Sequence, residues 1–164
     1  MTQLRRNIES LGAYGNMIFE VCRDIATHGV NIRELSRQIV KMGSNSIPIV
    51  ILTAGFTGMV LALQTAYGLQ RFGAKNYVGN IVGLSLVREL GPVLTALMLS
   101  GRVGAGIAAE IASMVATEQV DAIRALGANP IRKLVSPRIL AAMIVLPLLA
   151  VIANIVGMWG GAMV

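Results

Sequence analysis

Cysteine and histidine occur once each, as Cys22 and His28. A single cysteine closes no disulfide framework, and single copies of each make no dedicated Cys/His metal site. Charge is scarce as well. Charged residues are 13% of the chain, about half the share usual in a soluble domain. Aromatics are 4%, and no interleaving of rings with basic residues points to RNA or DNA. The net charge of +6 is therefore read as cytoplasmic Lys and Arg facing anionic headgroups. No Walker A pattern (GxxxxGK followed by Ser or Thr) occurs, so no P-loop nucleotide site is read in this chain. Arg5 and Arg6 are followed by Glu9 and a mixed sequence without an apolar h-region, which does not read as a cleavable signal peptide.

What the chain has instead is long apolar runs. Residues 42–70 are 29 positions without Asp, Glu, Lys or Arg, and 139–164 are 26 more. About 20 apolar residues cross a hydrocarbon core, whereas buried helices of soluble domains seldom hold more than about 14 uncharged positions in a row. The fold class is therefore all-α integral membrane, with spans over about 45–70, 80–115 and 139–164 forming a transmembrane domain from 44 to 164. Residues 1–43 read as interfacial amphipathic helices. In residues 1–28, Leu4, Ile8, Leu11, Ile18, Cys22 and Ile25 share a stripe, and Gly29 is a plausible stop. Asn31 with Glu34 resembles a capping box opening a second short helix with Ile32, Leu35, Ile39 and Met42 on its apolar face. In the first span Ala54, Gly58, Ala62 and Ala66 recur every four residues, a groove for an unspecified partner helix, and Gly157 and Gly161 form a similar pair in the third. Lys and Arg concentrate in residues 1–41 and in the 116–138 loop, which the positive-inside rule assigns, with the N-terminus, to the cytoplasm.

The second span is unusual because Arg88, Glu89, Arg102 and Glu110 lie among apolar neighbours. Charges at membrane depth are costly unless paired or facing water, and so mark functional sites by default. On a continuous helix, Arg102 and Glu110 fall within about 40° of Arg88, a candidate polar stripe, with Glu89 about 100° away. Gly91-Pro92 predicts a kink, since Pro92 has no N–H for the Arg88 carbonyl. The bland alternative is that the arginines snorkel to the interfaces and the glutamates pair structurally. Gly101, Gly104, Ala105, Gly106, Ala108 and Ala109 make the centre of this span small-faced, which suits close helix packing. After it, Thr117 is a candidate cap, Glu118 and Asp121 favour a helix start, and Gly127 and Pro130 close the segment. That short helix, over about 117–127 with Val120, Ile123 and Leu126 on one edge, suits docking in a partner's groove. Taken alone it equally suits an interfacial turn resting on lipid.

The run from Arg88 to Leu97 (Arg-Glu-Leu-Gly-Pro-Val-Leu-Thr-Ala-Leu), then Gly101-Arg102-Val103-Gly104, Ala109-Glu110, Thr117-Glu118-Gln119, Asp121-Ala122, Pro130 and Pro137-Arg138, resembles the signature of the MlaE/YrbE permease family. The resemblance covers most of 45–164. It implies the permease subunit of an ABC transporter that moves phospholipid between the inner membrane and the periplasm or outer membrane, maintaining outer-membrane lipid asymmetry. It further implies a permease homodimer, two cytoplasmic ATPase subunits that bind ATP and Mg, and a periplasmic MCE-domain protein. No cofactor and no metal is expected in this chain, which is not itself an enzyme. Arg88 and Glu89 match the charged pair near the family's lipid cavity. Glu118, Gln119, Asp121, Ile123, Arg124, Leu126 and Gly127 fall in its coupling helix. Members usually continue for further spans, whereas this chain ends inside its third, which suggests a fragment. The rival from another class is an ion channel or secondary transporter conducting along Arg88, Glu89, Arg102 and Glu110. An intramembrane enzyme is the weakest reading, since Ser85, Ser100 and Ser113 have no evident base.

Overall fold

In the computed structural model, residue 12, residues 15–25 and residues 31–164 are described. The expected stripe residues Leu4, Ile8 and Leu11 and the stop at Gly29 lie outside them. Among the described residues every regular element is helical: α1 (residues 15–25), α2 (Ile32–Gln70), α3 (Lys75–Ala116), α4 (Gln119–Ala125) and α5 (Ile131–Ala162). Three of them, α2, α3 and α5, are long and apolar enough to cross a membrane.

Helix α2 starts where the sequence places a cap. The Asn31 side-chain carbonyl accepts the Arg33 N–H at 3.1 Å, and its main-chain carbonyl accepts from Glu34 and Leu35. The return arm of a capping box is spent elsewhere, because Glu34 Oε1 accepts from Gln38 Nε2 at 3.1 Å. The helix does not stop before the first span, so the expected second short helix is the opening of α2. Residues 43–46 contain no residue at positive φ, and Met42, Ser46 and Val50 bury the same face on both sides of them. Pro48 inside the helix removes a single main-chain donor.

Helix α3 is interrupted twice. It opens on a 3-10 turn at Lys75–Tyr77 and carries π turns at Leu86–Leu90 and Ser100–Gly104 between regular α stretches. The first π turn is the form taken by the predicted kink: Gly91 N–H bonds the Leu86 carbonyl, one residue further back than in an α-helix, ahead of a proline that cannot donate.

The chain forms two compact units. One joins Ile39–Ala109 with Ala142–Val164. Here the small-residue stripes of the first and third spans find each other. A Cβ on Gly58 would fall on the Gly157 carbonyl, a Cβ on Gly160 would fall on the Gly55 carbonyl, and one on Gly161 would lie 3.3 Å from the Gly58 carbonyl. Close backbone approach of this kind replaces hydrophobic drive with van der Waals contact. Val82 and Leu86 of α3 join Ala62 in the adjoining core, with Leu61, Val78 and Leu90 packed around them. By contrast, a Cβ on Gly101, Gly104 or Gly106 would meet nothing within 4 Å. The close packing expected of that stretch is thus not made among the described residues, where α2 and α5 meet through their own small residues.

The other unit joins the described residues up to Gln38 with Glu110–Ala141. Glu20 and Asp24 of α1 hold the start of α5: Asn129 Nδ2 donates to Glu20 at 2.9 Å. Asp24 meets Arg132 at 3.6 Å and the Ser136 hydroxyl at 3.4 Å. Asn129 also caps α5 by accepting the Ile131 N–H at 2.9 Å.

Candidate functional site

Arg88 and Glu89 sit in the first π turn of α3. The inner side of that turn is occupied by buried Leu86 and Gly91, which leaves both charged side chains exposed. Neither makes an ion pair or a hydrogen bond with a described residue. The turn is braced from two directions. The Thr95 hydroxyl, fully buried, donates to the Gly91 carbonyl at 2.7 Å. The Asn154 side chain of α5 packs against Gly91 so closely that a Cβ there would overlap its Oδ1. Gly91 is needed for this contact and Pro92 for the lost donor, so the Gly-Pro step places the charged pair through backbone geometry. Asn154, in the sequence only an exception within an apolar run, is the residue that sequence reasoning missed. The signal was a lone amide in a 26-residue uncharged stretch.

The other two intramembrane charges are engaged separately. The Arg102 guanidinium, in the second π turn, donates to the main-chain carbonyl of Asn45 on α2. Glu110 accepts from Arg138 Nη2 at 3.1 Å, with the Arg138 side chain only 5% exposed. Each π turn inserts a residue into the helical count, so the angles reckoned for a continuous α-helix from Arg88 do not carry to Arg102 or Glu110. Arg138 was counted in the sequence as a loop cation. A carboxylate in an apolar segment needs a counter-charge, and that need was the available signal for it.

The segment that follows α3 is built on a left-handed residue. Glu118 has φ +56° and leads into α4 without a side-chain cap. Thr117 does not cap it: its hydroxyl donates backward to the Ser113 carbonyl at 2.8 Å. Asp121 lies in the first turn and meets Arg124 at 3.2 Å on an exposed face. Gly127, at φ +74°, ends the helix. Its N–H bonds the Arg124 carbonyl at 2.9 Å, and that of Ala128 bonds the Ile123 carbonyl at 3.1 Å, the paired bonds of a Schellman motif. Gln119 is exposed, Ile123 half-buried, and Leu126 is 84% exposed. Among the described residues no three His, Cys, Asp or Glu side chains gather as a metal site.

A family model described as permease MlaE matches residues 35–164. A probable ABC transporter permease protein of Rickettsia felis is 46% identical over 156 residues, 95% of this chain and 60% of the relative. A probable ABC transporter permease protein of Synechocystis is 44% identical over 135 residues, 82% of this chain and 51% of the relative. The intermembrane phospholipid transport system permease protein MlaE of Haemophilus influenzae is 38% identical over 155 residues, 94% of this chain and 59% of the relative. The chain thus spans 60% or less of the length of these relatives.

Proposed function

Because this chain belongs to the MlaE permease family, we propose that it acts in the transmembrane permease subunit of an ABC transporter that moves phospholipid between the inner membrane and the periplasm or outer membrane. Its role there is to maintain outer-membrane lipid asymmetry. The observation that carries this reading is the family match over residues 35–164. A relative named for phospholipid transport supports the substrate class.

In this reading a lipid lies with its acyl chains along apolar helix surface and its headgroup near Arg88 and Glu89. Both side chains are exposed in an apolar span and unpaired among the described residues. Against hydrocarbon each would cost several kcal/mol, whereas a headgroup phosphate and its water shell supply the missing partners. A second copy of the permease completes the cavity. Helix α4 with its flanking residues, from Glu118 to Gly127, docks in a cytoplasmic ATPase, and Leu126 is the apolar side chain that the partner covers. ATP and Mg are bound by that ATPase, and a periplasmic MCE-domain protein exchanges lipid with the permease. The N-terminus and the 116–138 loop lie on the cytoplasmic side. Arg102 and Glu110 act in support, the first by joining α3 to α2 and the second by pairing with Arg138.

Gentle purification of the full permease from native membranes, followed by mass spectrometry of what accompanies it, tests the assembly. Recovery of a Walker-A-bearing ATPase, an MCE-domain protein and phospholipid is the expected result. Recovery without ATPase or lipid, together with ion conductance in reconstituted bilayers, would replace the proposal with a channel or secondary transporter.

A further inference from the structure

A pocket of about 660 Å³ lies between the start of α2 and the start of α5. That size is within the range of small-ligand sites. Asn31, Glu34, Asn129, Arg132 and Lys133 supply its polar lining, while Leu134 and Pro137 add apolar surface just ahead of the uncharged run from 139 onward.

The electrostatics favour an anion. Arg132 gives its Nε to Asp24 at the long distance of 3.6 Å, which leaves the rest of its five-donor fork. Lys133 is exposed, and its side chain makes no ion pair or hydrogen bond with a described residue. The pocket's acid, Glu34, already accepts from Gln38. Asn31 and Asn129 are the caps of two long helices, so the positive ends of both dipoles add to the two cations. Two cations and apolar side chains lining one pocket fit an amphiphile better than a free ion.

We propose that this pocket holds the phosphate headgroup of an anionic phospholipid from the cytoplasmic leaflet, with Lys133 as its main counter-charge. The site belongs to the unit that excludes Arg88 and Glu89 and does not depend on which lipid is transported. It shares Gly127 with the end of α4, so the bound lipid also steadies the turn that follows the docking segment.

The test is the phosphatidylglycerol retained by the full permease after reconstitution in mixed phosphatidylglycerol and phosphatidylcholine bilayers and extraction in mild detergent, read by mass spectrometry. Lys133→Gln is expected to lower retention about fivefold, the attraction of roughly one cation, while Lys133→Arg keeps it. Arg37→Gln, outside the pocket, is expected to leave it unchanged. Because Arg132 also holds Asp24, Lys133 is the position that separates binding from folding. Unchanged retention in Lys133→Gln would overturn the proposal. So would an equal loss in Arg37→Gln, which would mean diffuse surface attraction. Displacement of the lipid by millimolar inorganic phosphate would overturn it in favour of a simple ion site.

Discussion

At the residue scale the four intramembrane charges divide by what they touch. Arg138 is buried and Glu110 is its ion-pair partner, so removing the carboxylate strands a cation. Glu110→Ala is expected to cost about 3 kcal/mol, the lower part of the range for breaking such a pair, because Glu110 itself is partly open. A lowered unfolding midpoint of the detergent-solubilised permease would register it, and an unchanged midpoint would show the pair to be dispensable. Glu89 is different, being exposed and unpaired among the described residues. Glu89→Gln should leave that midpoint alone and reduce lipid transport about tenfold, the worth of one charge-assisted hydrogen bond. Unchanged transport would make Glu89 structural. Glu118 carries the positive φ of a non-glycine residue, a conformation costing about 1 kcal/mol that glycine adopts freely. Glu118→Gly is therefore expected to raise the unfolding midpoint slightly, and a fall would show that the side chain stabilises more than its backbone strains.

At the element scale, helix contact depends on where glycine falls. Gly58 and Gly68 lie on the same helix, yet a Cβ on the first would meet the Gly157 backbone and on the second would meet nothing within 4 Å. Gly58→Ala should force α2 and α5 apart and cost more than about 2 kcal/mol, in the range of overpacked cores. Gly68→Ala should be neutral or stabilising by up to about 1 kcal/mol. Measured side by side by thermal unfolding, equal effects would mean that the α2–α5 seam is not a tight one. The four-residue repeats of small residues were legible in the sequence. The π turn at Leu86–Leu90 was not, because proline announces a missing donor without saying whether the helix answers by bending or by widening one turn, and the π turn at Ser100–Gly104 has no proline to announce it. That local choice is what invalidated the angular stripe.

At the scale of the whole molecule, the docking segment offers a separable function. Leu126 is highly exposed at the end of a short helix whose own fold is closed by the Gly127 turn. Leu126→Asp is therefore expected to leave the unfolding midpoint unchanged while lowering the ATPase recovered with the permease at least tenfold, as for loss of a central apolar anchor. Undiminished recovery would place the ATPase contact elsewhere.

The apolar runs determined by themselves that this is a helical membrane protein, since no other structure satisfies backbone polar groups in lipid over such lengths. The Arg-Glu-Leu-Gly-Pro block with the following Gly-Arg-Val-Gly determined the family by resemblance. Partnership was decided only in three dimensions. Glu110 meets a residue 28 positions away in Arg138, Arg102 reaches back to Asn45, and Asn154 seats against Gly91. Sequence spacing orders residues along one helix, but these contacts join different helices, and the last of them depends on how closely Gly91 lets the Asn154 side chain approach.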